Sequence, residues 1–171
     1  MSGARLTVID QISGALRSLT VGLQRPRALL VNIGELLVQS TRDRMFAEQG
    51  PDGSDWPALN PLYAATKRGG GMLREAGMSG GLISTIVWQM AGDMAIEVGT
   101  SRIYGAIHQL GGVIRPKTAA ALVFQLGAEL VRVQSVTIPA RPYLGISPAD
   151  GEDMLDLATD YVDGLLTGRT A

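Results

Sequence analysis

The chain has no cysteine, which removes disulfides, thiolate nucleophiles and cysteine-based zinc sites together and suits a reducing cytoplasm. It has a single histidine, His108, so metal ligation would fall to carboxylates, and neither H-E-x-x-H nor a calcium-loop pattern is present. An excess of one charge is also missing. Fifteen basic against sixteen acidic side chains leave a net charge of -1, which gives the whole molecule no pull on nucleic acid. No run approaches the roughly 18 uninterrupted apolar residues of a membrane span. The start, MSGARLTVID, lacks the basic segment and apolar core of a secretion signal. Together these absences predict a soluble chain that works without a membrane.

Aromatics are scarce, at 5% of residues, whereas glycine is abundant at 22 of 171, against roughly 7% in average proteins. Such a composition predicts many loops and a modest core, with part of the stability supplied by neighbours. The length fits one domain spanning 1–171. From Arg5 to Leu23, the apolar positions Leu6, Ile9, Ile12, Leu16, Leu19 and Leu23 follow three- and four-residue steps, one face of a helix. Pro26 interrupts the pattern, and a second helix runs from about Pro26 to Gln49. The pair over 5–49 is either a helical hairpin or one long helix kinked at Pro26. Residues 50–82 are dense in Gly, Pro, Asp and Asn and read as an extended interaction arm with a short helix near 61–68. Trp56 is its only tryptophan, better read as pinning the arm to the body than as a stacking platform.

Strand character begins at Leu82. LISTIVWQM and MAIEVG predict a hairpin turning at Ala91-Gly92-Asp93, and AALVFQL with ELVRVQSVTIP predicts a second hairpin turning at Gly127-Ala128. A short helix from Tyr104 to Leu110 lies between them. Pro148 to Leu166 reads as a helix with acidic first turns and an apolar stripe. The predicted fold class is α+β: antiparallel hairpins forming a sheet over 83–147, helices on one face, and a C-terminal helix over 148–167.

Catalytic patterns fail on context. GMSGG, at Gly77 to Gly81, matches G-x-S-x-G through Ser79 but has no preceding strand and leads into one rather than into a helix. RGGGML at Arg68 lacks both the Lys-Ser/Thr of a phosphate loop and a strand before it. The acids of DGEDMLD, from Asp150 to Asp156, read as charge favouring a helix N-terminus, and the RDR triplet at Arg42 to Arg44 reads as a solvated helix face. His108 sits among Ile103, Ala106, Ile107 and Leu110 with no nameable base or acid partner, so a structural histidine near a helix end is the better reading. No catalytic residue, cofactor or metal ligand is assigned.

Three ordered stretches carry a family likeness. FAEQGPDGSDWPALNP with MLREAGMSGGLISTI, then IYGAIHQLGG, then IPARPYLGIS resemble the phage virion morphogenesis, or tail completion, proteins of Mu-like tailed phages. The matching positions are Phe46; Pro51, Asp52, Gly53, Trp56 and Pro57; Leu73 and Gly77; Tyr104, His108, Gln109, Gly111 and Gly112; and Pro139 to Gly145. Gly105 stands where the family pattern has Ala. The resemblance implies a non-enzymatic part of the virion neck, assembled in the bacterial host cytoplasm. Its expected partners are copies of itself in a ring, by family a hexamer, together with other neck, head-connector and tail-tube or terminator proteins. Genomic DNA would pass through the ring without sequence recognition, and near-neutral charge suits that passage. Structural or interface roles fall on Trp56, Tyr104, His108, Gln109, Gly111, Gly112, Arg141, Pro142 and Tyr143. HQLGG and PARPYL are expected to pack together, with Arg141 offering its planar fork to a carboxylate or to backbone carbonyls and Tyr143 filling an apolar pocket.

Overall fold

The computed structural model describes residues 12–74 and 81–168. Helix α1 (Ile12–Gln24) and helix α2 (Arg27–Ala47) are separated at Arg25-Pro26. Both lie against the C-terminal helix α5 (Pro148–Thr167). Near one end of α5, Asp150 meets Ser40 and Arg44 of α2. Near the other end, the Tyr161 hydroxyl donates to the Gly22 carbonyl at 3.0 Å, and a Cβ at Gly22 would fall 2.4 Å from Leu165. Of the two readings of the N-terminal helices, these contacts fit the kinked rod: α5 runs antiparallel along both pieces.

Helix α2 ends one turn before the Gly-Pro stop. Glu48 adopts φ 61°, and its N–H returns to the Arg44 carbonyl. A left-handed backbone is uncommon for a residue with a Cβ, and here the side chain is secured. Its Oε1 accepts from the Met72 N–H at 2.7 Å and from Arg74 at 3.2 Å. Arg74 in turn lies over the Phe46 ring, 5.2 Å from its centroid.

The first hairpin pairs β1 (Ile86–Met90) with β2 (Ile96–Thr100), antiparallel. Its register places Met90 opposite Ile96, so the loop is the five residues 91–95 rather than the three expected. Residues Leu82–Thr85 form a 3₁₀ turn, so the strand starts four residues later than the sequence pattern suggested. This hairpin packs on α2, where the Trp88 ring covers Gly34 so closely that a Cβ there would sit 2.5 Å from it. The Trp88 indole N–H donates to Glu35 at 2.8 Å.

Helix α4 (Gly105–Leu110) leads into β3 (Gly112–Ile114), and β4 (Leu122–Leu126) pairs with β5 (Glu129–Val133) around the expected Gly127-Ala128 turn. The sequence pattern runs the second strand on through VTI. Instead the chain breaks at Gln134-Ser135, and β6 (Val136–Ile138) crosses to pair with β3. The α+β class holds, but the strands do not form one sheet. Among the described residues they make three separate two-stranded ladders. Short length and proline account for part of this. β3 and β6 have three residues each, and Pro116 and Pro139 lack the amide needed to extend the ladder.

The segment expected to be an extended arm is anchored to the body at several points, although most of its described residues are exposed. A bridge between Gln49 and Asp55 closes the Pro51-Asp52-Gly53 turn. Trp56 and Met72 are buried in the core with Val38, Met45, Leu82, Ile86 and Tyr143, and α3 (Pro61–Thr66) is capped by Asn60. The apolar side chains of Trp56 and Met72 gain more by burial here than an arm in water would allow. Ser79 and Gly77 lie outside the described residues.

The RDR reading also needs correction. Arg42 donates to the Ile86 carbonyl at 2.9 Å, and Arg44 pairs with Asp150 at 2.7 Å with its side chain only 12% exposed. The triplet ties α2 to β1 and α5, and only its Asp43 is exposed. Three- and four-residue spacing puts Arg44 on the side of α2 that carries buried Thr41 and Met45, which charge alone does not reveal.

Candidate functional site

The stretches that carried the family likeness converge in space. Helix α4 presents Gln109 to the extended PYL segment as a substitute strand edge. Its Oε1 accepts from the Tyr143 and Leu144 N–H groups at 3.0 and 2.9 Å, and its Nε2 donates to the Leu144 carbonyl at 2.9 Å. One residue earlier, the His108 carbonyl accepts from the Arg141 N–H at 2.7 Å. These bonds satisfy the backbone of a proline-stiffened segment that has no ladder of its own there.

The arm closes the other side. Trp56 donates its indole N–H to the Pro142 carbonyl at 2.8 Å. Arg141, only 5% exposed, directs Nε to the Pro57 carbonyl and Nη2 to the Ala58 carbonyl, at 2.9 and 3.1 Å. Of the two partners foreseen for the Arg141 fork, the structure uses backbone carbonyls. Burial pulls this guanidinium down from its ordinary pKa, and the nearby Glu48 charge opposes that shift. Pro51 packs on Gly145, where φ is +152° and a Cβ would fall 2.5 Å from the proline ring. Tyr143 fills the apolar pocket beneath, 1% exposed, and burial raises its hydroxyl pKa.

The glycines have steric reasons. Gly111 caps α4 at φ +69°, and a Cβ there would meet the Ala140 nitrogen at 2.8 Å, a backbone atom that cannot swing away. Gly112 opens β3. Tyr104 precedes α4 and meets the His108 ring edge-on, centroids 6.0 Å apart. Thus Trp56, Gln109, Gly111, Arg141, Pro142 and Tyr143 form one junction, with Tyr104, His108 and Gly112 on its flank.

Gly105 changes meaning in this setting. A glycine where the family pattern has alanine looks like a loosening, yet a Cβ would lie 2.7 Å from Thr100 Cγ2 and 2.9 Å from the Tyr143 hydroxyl. Gly105→Ala is therefore expected to destabilise the protein by about 1–3 kcal/mol through overpacking, read as a lower denaturation midpoint at unchanged denaturant slope.

A second buried polar cluster went unnoticed in the sequence. Asp150, read as a helix-end charge, is 2% exposed. Its carboxylate accepts from Ser40, from Arg44 at 2.7 Å and from the Ser147 N–H at 2.7 Å. Ser147 completes a capping box by accepting from the Asp150 N–H. The spacing Ser147-x-x-Asp150 is a legible box signal; the partners on α2 are not, because they lie over a hundred residues away. Burial by itself would raise the Asp150 pKa, but the Ser40 and Ser147 hydrogen bonds and the Arg44 charge outweigh it and the net shift is downward.

Chemically, the junction's polar groups are engaged with backbone. Among the described residues, no group of three or more histidines or acids is placed to hold a metal ion. No helix among them is long and apolar enough to cross a membrane.

The G protein of Escherichia phage Mu, named for capsid assembly, is 26% identical over 147 residues, covering 83% of each chain. The Mu-like prophage FluMu G protein 2 of Haemophilus influenzae is 34% identical over 85 residues, half of this chain and 49% of its own length. No solved structure matches. The model of the phage virion morphogenesis family matches residues 7–163, which includes every junction residue. The chain belongs to the phage virion morphogenesis family.

Proposed function

We propose that this chain is a structural subunit of a tailed-phage virion, assembling into a ring at the neck that joins or terminates the tail and leaves an axial passage for DNA. The observation that carries the reading is how the family's signature residues are used. Trp56, Gln109, Arg141 and Tyr143 hold backbone and core in place, which is the need of a building block rather than of a substrate pocket. The near-balanced charge of -1 fits a ring that DNA traverses without being held. A contact repeated by rotation closes such a ring; six copies would match the symmetry the family resemblance implies. The subunit does no covalent chemistry. A Ser79→Ala variant is expected to yield infectious particles at the wild-type level in a plaque assay, and loss of infectivity with intact particles would point to a serine nucleophile instead.

Quantitative mass spectrometry of purified virions tests the main reading, which requires several copies per particle. The Mu relative's name favours one second reading, an assembly factor that acts during morphogenesis and leaves. That reading requires the chain in assembly intermediates and none in mature particles.

A further inference from the structure

Two apolar surfaces lie open at different places on this chain, and their chemistry matches. The first is on α1. Half-buried Ala15, Leu19 and Gly22 share one side of the helix, and Gly22 meets α5 there. Beside them, Ile12, Leu16 and Leu23 stand 68%, 52% and 48% exposed, in a stripe without charge. Helical spacing puts Arg17 away from that stripe.

The second surface is a groove of about 730 Å³ under the β4–β5 hairpin, walled by Tyr63, Ile114, Phe124, Leu126 and Ile138. Besides the Tyr63 phenol, its ionisable lining is His108 and Arg141, and the Arg141 guanidinium already serves two carbonyls. The hairpin that roofs it has two strands and rests mainly on α3, an arrangement that is marginal in water without further cover. The groove therefore calls for an uncharged apolar occupant.

We propose that α1 of one copy lays its Ile12–Leu16–Leu23 stripe in the groove beneath the β4–β5 hairpin of a second copy. The exposed apolar residues of α5, Leu155 and Leu166, share their helix with exposed Glu152, Asp153, Asp156, Asp160 and Asp163, and acids would lose solvation in such a groove. The α1 stripe carries no such cost. Within one chain, α1 packs at the Tyr161–Leu165 end of α5, whereas the groove adjoins Arg141, ahead of the other end. A 20-residue helix spans about 30 Å. A helix-in-groove contact between two different patches is head-to-tail, and its repetition by rotation closes a ring. This deepens the ring reading and rests on it.

The absence of native cysteine makes the test clean. Leu16→Cys chains and chains with Val123→Cys or Ile114→Cys, both groove-lining and exposed, are mixed and treated with a short bis-maleimide. Covalent dimers containing one chain of each kind are expected, at a yield at least tenfold above a Leu155→Cys control. A Leu16→Asp variant with unchanged circular dichroism is expected to weaken self-association at least tenfold by light scattering. Self-association that survives Leu16→Asp with no mixed cross-link overturns the proposal while leaving the ring reading intact. A chain that stays monomeric at every concentration overturns it too. Cross-linking in a chain absent from virions removes the neck reading instead.

Discussion

Tyr143→Ala is expected to cost about 3–5 kcal/mol, the range for deleting a fully buried aromatic ring. The ring is 1% exposed and stands among Met45, Trp56, Leu82 and Ile86. Its own amide and that of Leu144 hang on the single Gln109 oxygen. Removing the ring opens a cavity where α4, the arm and the PYL segment meet, and none of these can collapse inward freely. Gly111 is fixed at positive φ, and the Trp56 and Arg141 bonds hold the carbonyls of Pro142, Pro57 and Ala58. Urea unfolding monitored by Trp fluorescence measures the loss. Leu110→Ala, at a position 78% exposed, serves as the control and is expected to change stability by no more than about 0.5 kcal/mol.

The second large effect belongs to Asp150. Asp150→Ala strands the Arg44 guanidinium in a site where that side chain is 12% exposed, and takes from Ser40 its acceptor. Breaking a buried pair from one side costs about 3–5 kcal/mol. Replacing both Arg44 and Asp150 by apolar residues of similar volume is expected to cost less than Asp150→Ala alone, because no uncompensated charge is left. The pH dependence has a definite sign. The folded-state pKa of Asp150 is depressed, so its contribution is fully present above the unfolded carboxylate value of about 3.9. It is lost as pH falls from there through the lower folded value. Urea midpoints measured from pH 7 into the acid range should therefore fall more steeply for the wild type than for Asp150→Asn. Equal acid slopes would mean that the carboxylate is not held as described.

The contrast between these two residues shows what the chain order reveals. Local periodicity and turn chemistry located α2, α3, α4, α5 and the Gly127-Ala128 turn to within a few residues, because each depends on neighbours in sequence. The junction was legible through the family likeness and through residue type. Trp56 in a loop, and Arg141 with Tyr143 in a proline-stiffened extended segment, need anchoring partners. Asp150 and Arg44 were misread because each has a satisfactory local explanation, a helix-end charge and a solvated face, while their real partners are distant along the chain. The β3–β6 ladder was missed for a related reason. Gln134-Ser135 is a weak break, and only the pairing across the molecule shows that Val136–Ile138 belongs to another strand. Gly105 shows the reverse: a departure from the family pattern that looked slack proves tightly packed.

The folded arm also alters where contacts between copies should be sought. With Trp56 and Met72 in the core, 50–74 is anchored to its own subunit, while Leu62 and Tyr63 of α3 stay exposed and open apolar surface includes α1 and the groove beneath the β4–β5 hairpin. A glycine-rich, aromatic-poor chain that leaves Ile12, Leu16, Leu130 and Leu155 more than half exposed has apolar area to gain by association.

Three-dimensional reconstruction of the intact head–tail junction bears on the whole account at once. The account predicts density that fits this fold, repeated around the tail axis with adjoining copies in contact. A junction whose every density belongs to other chains would contradict it.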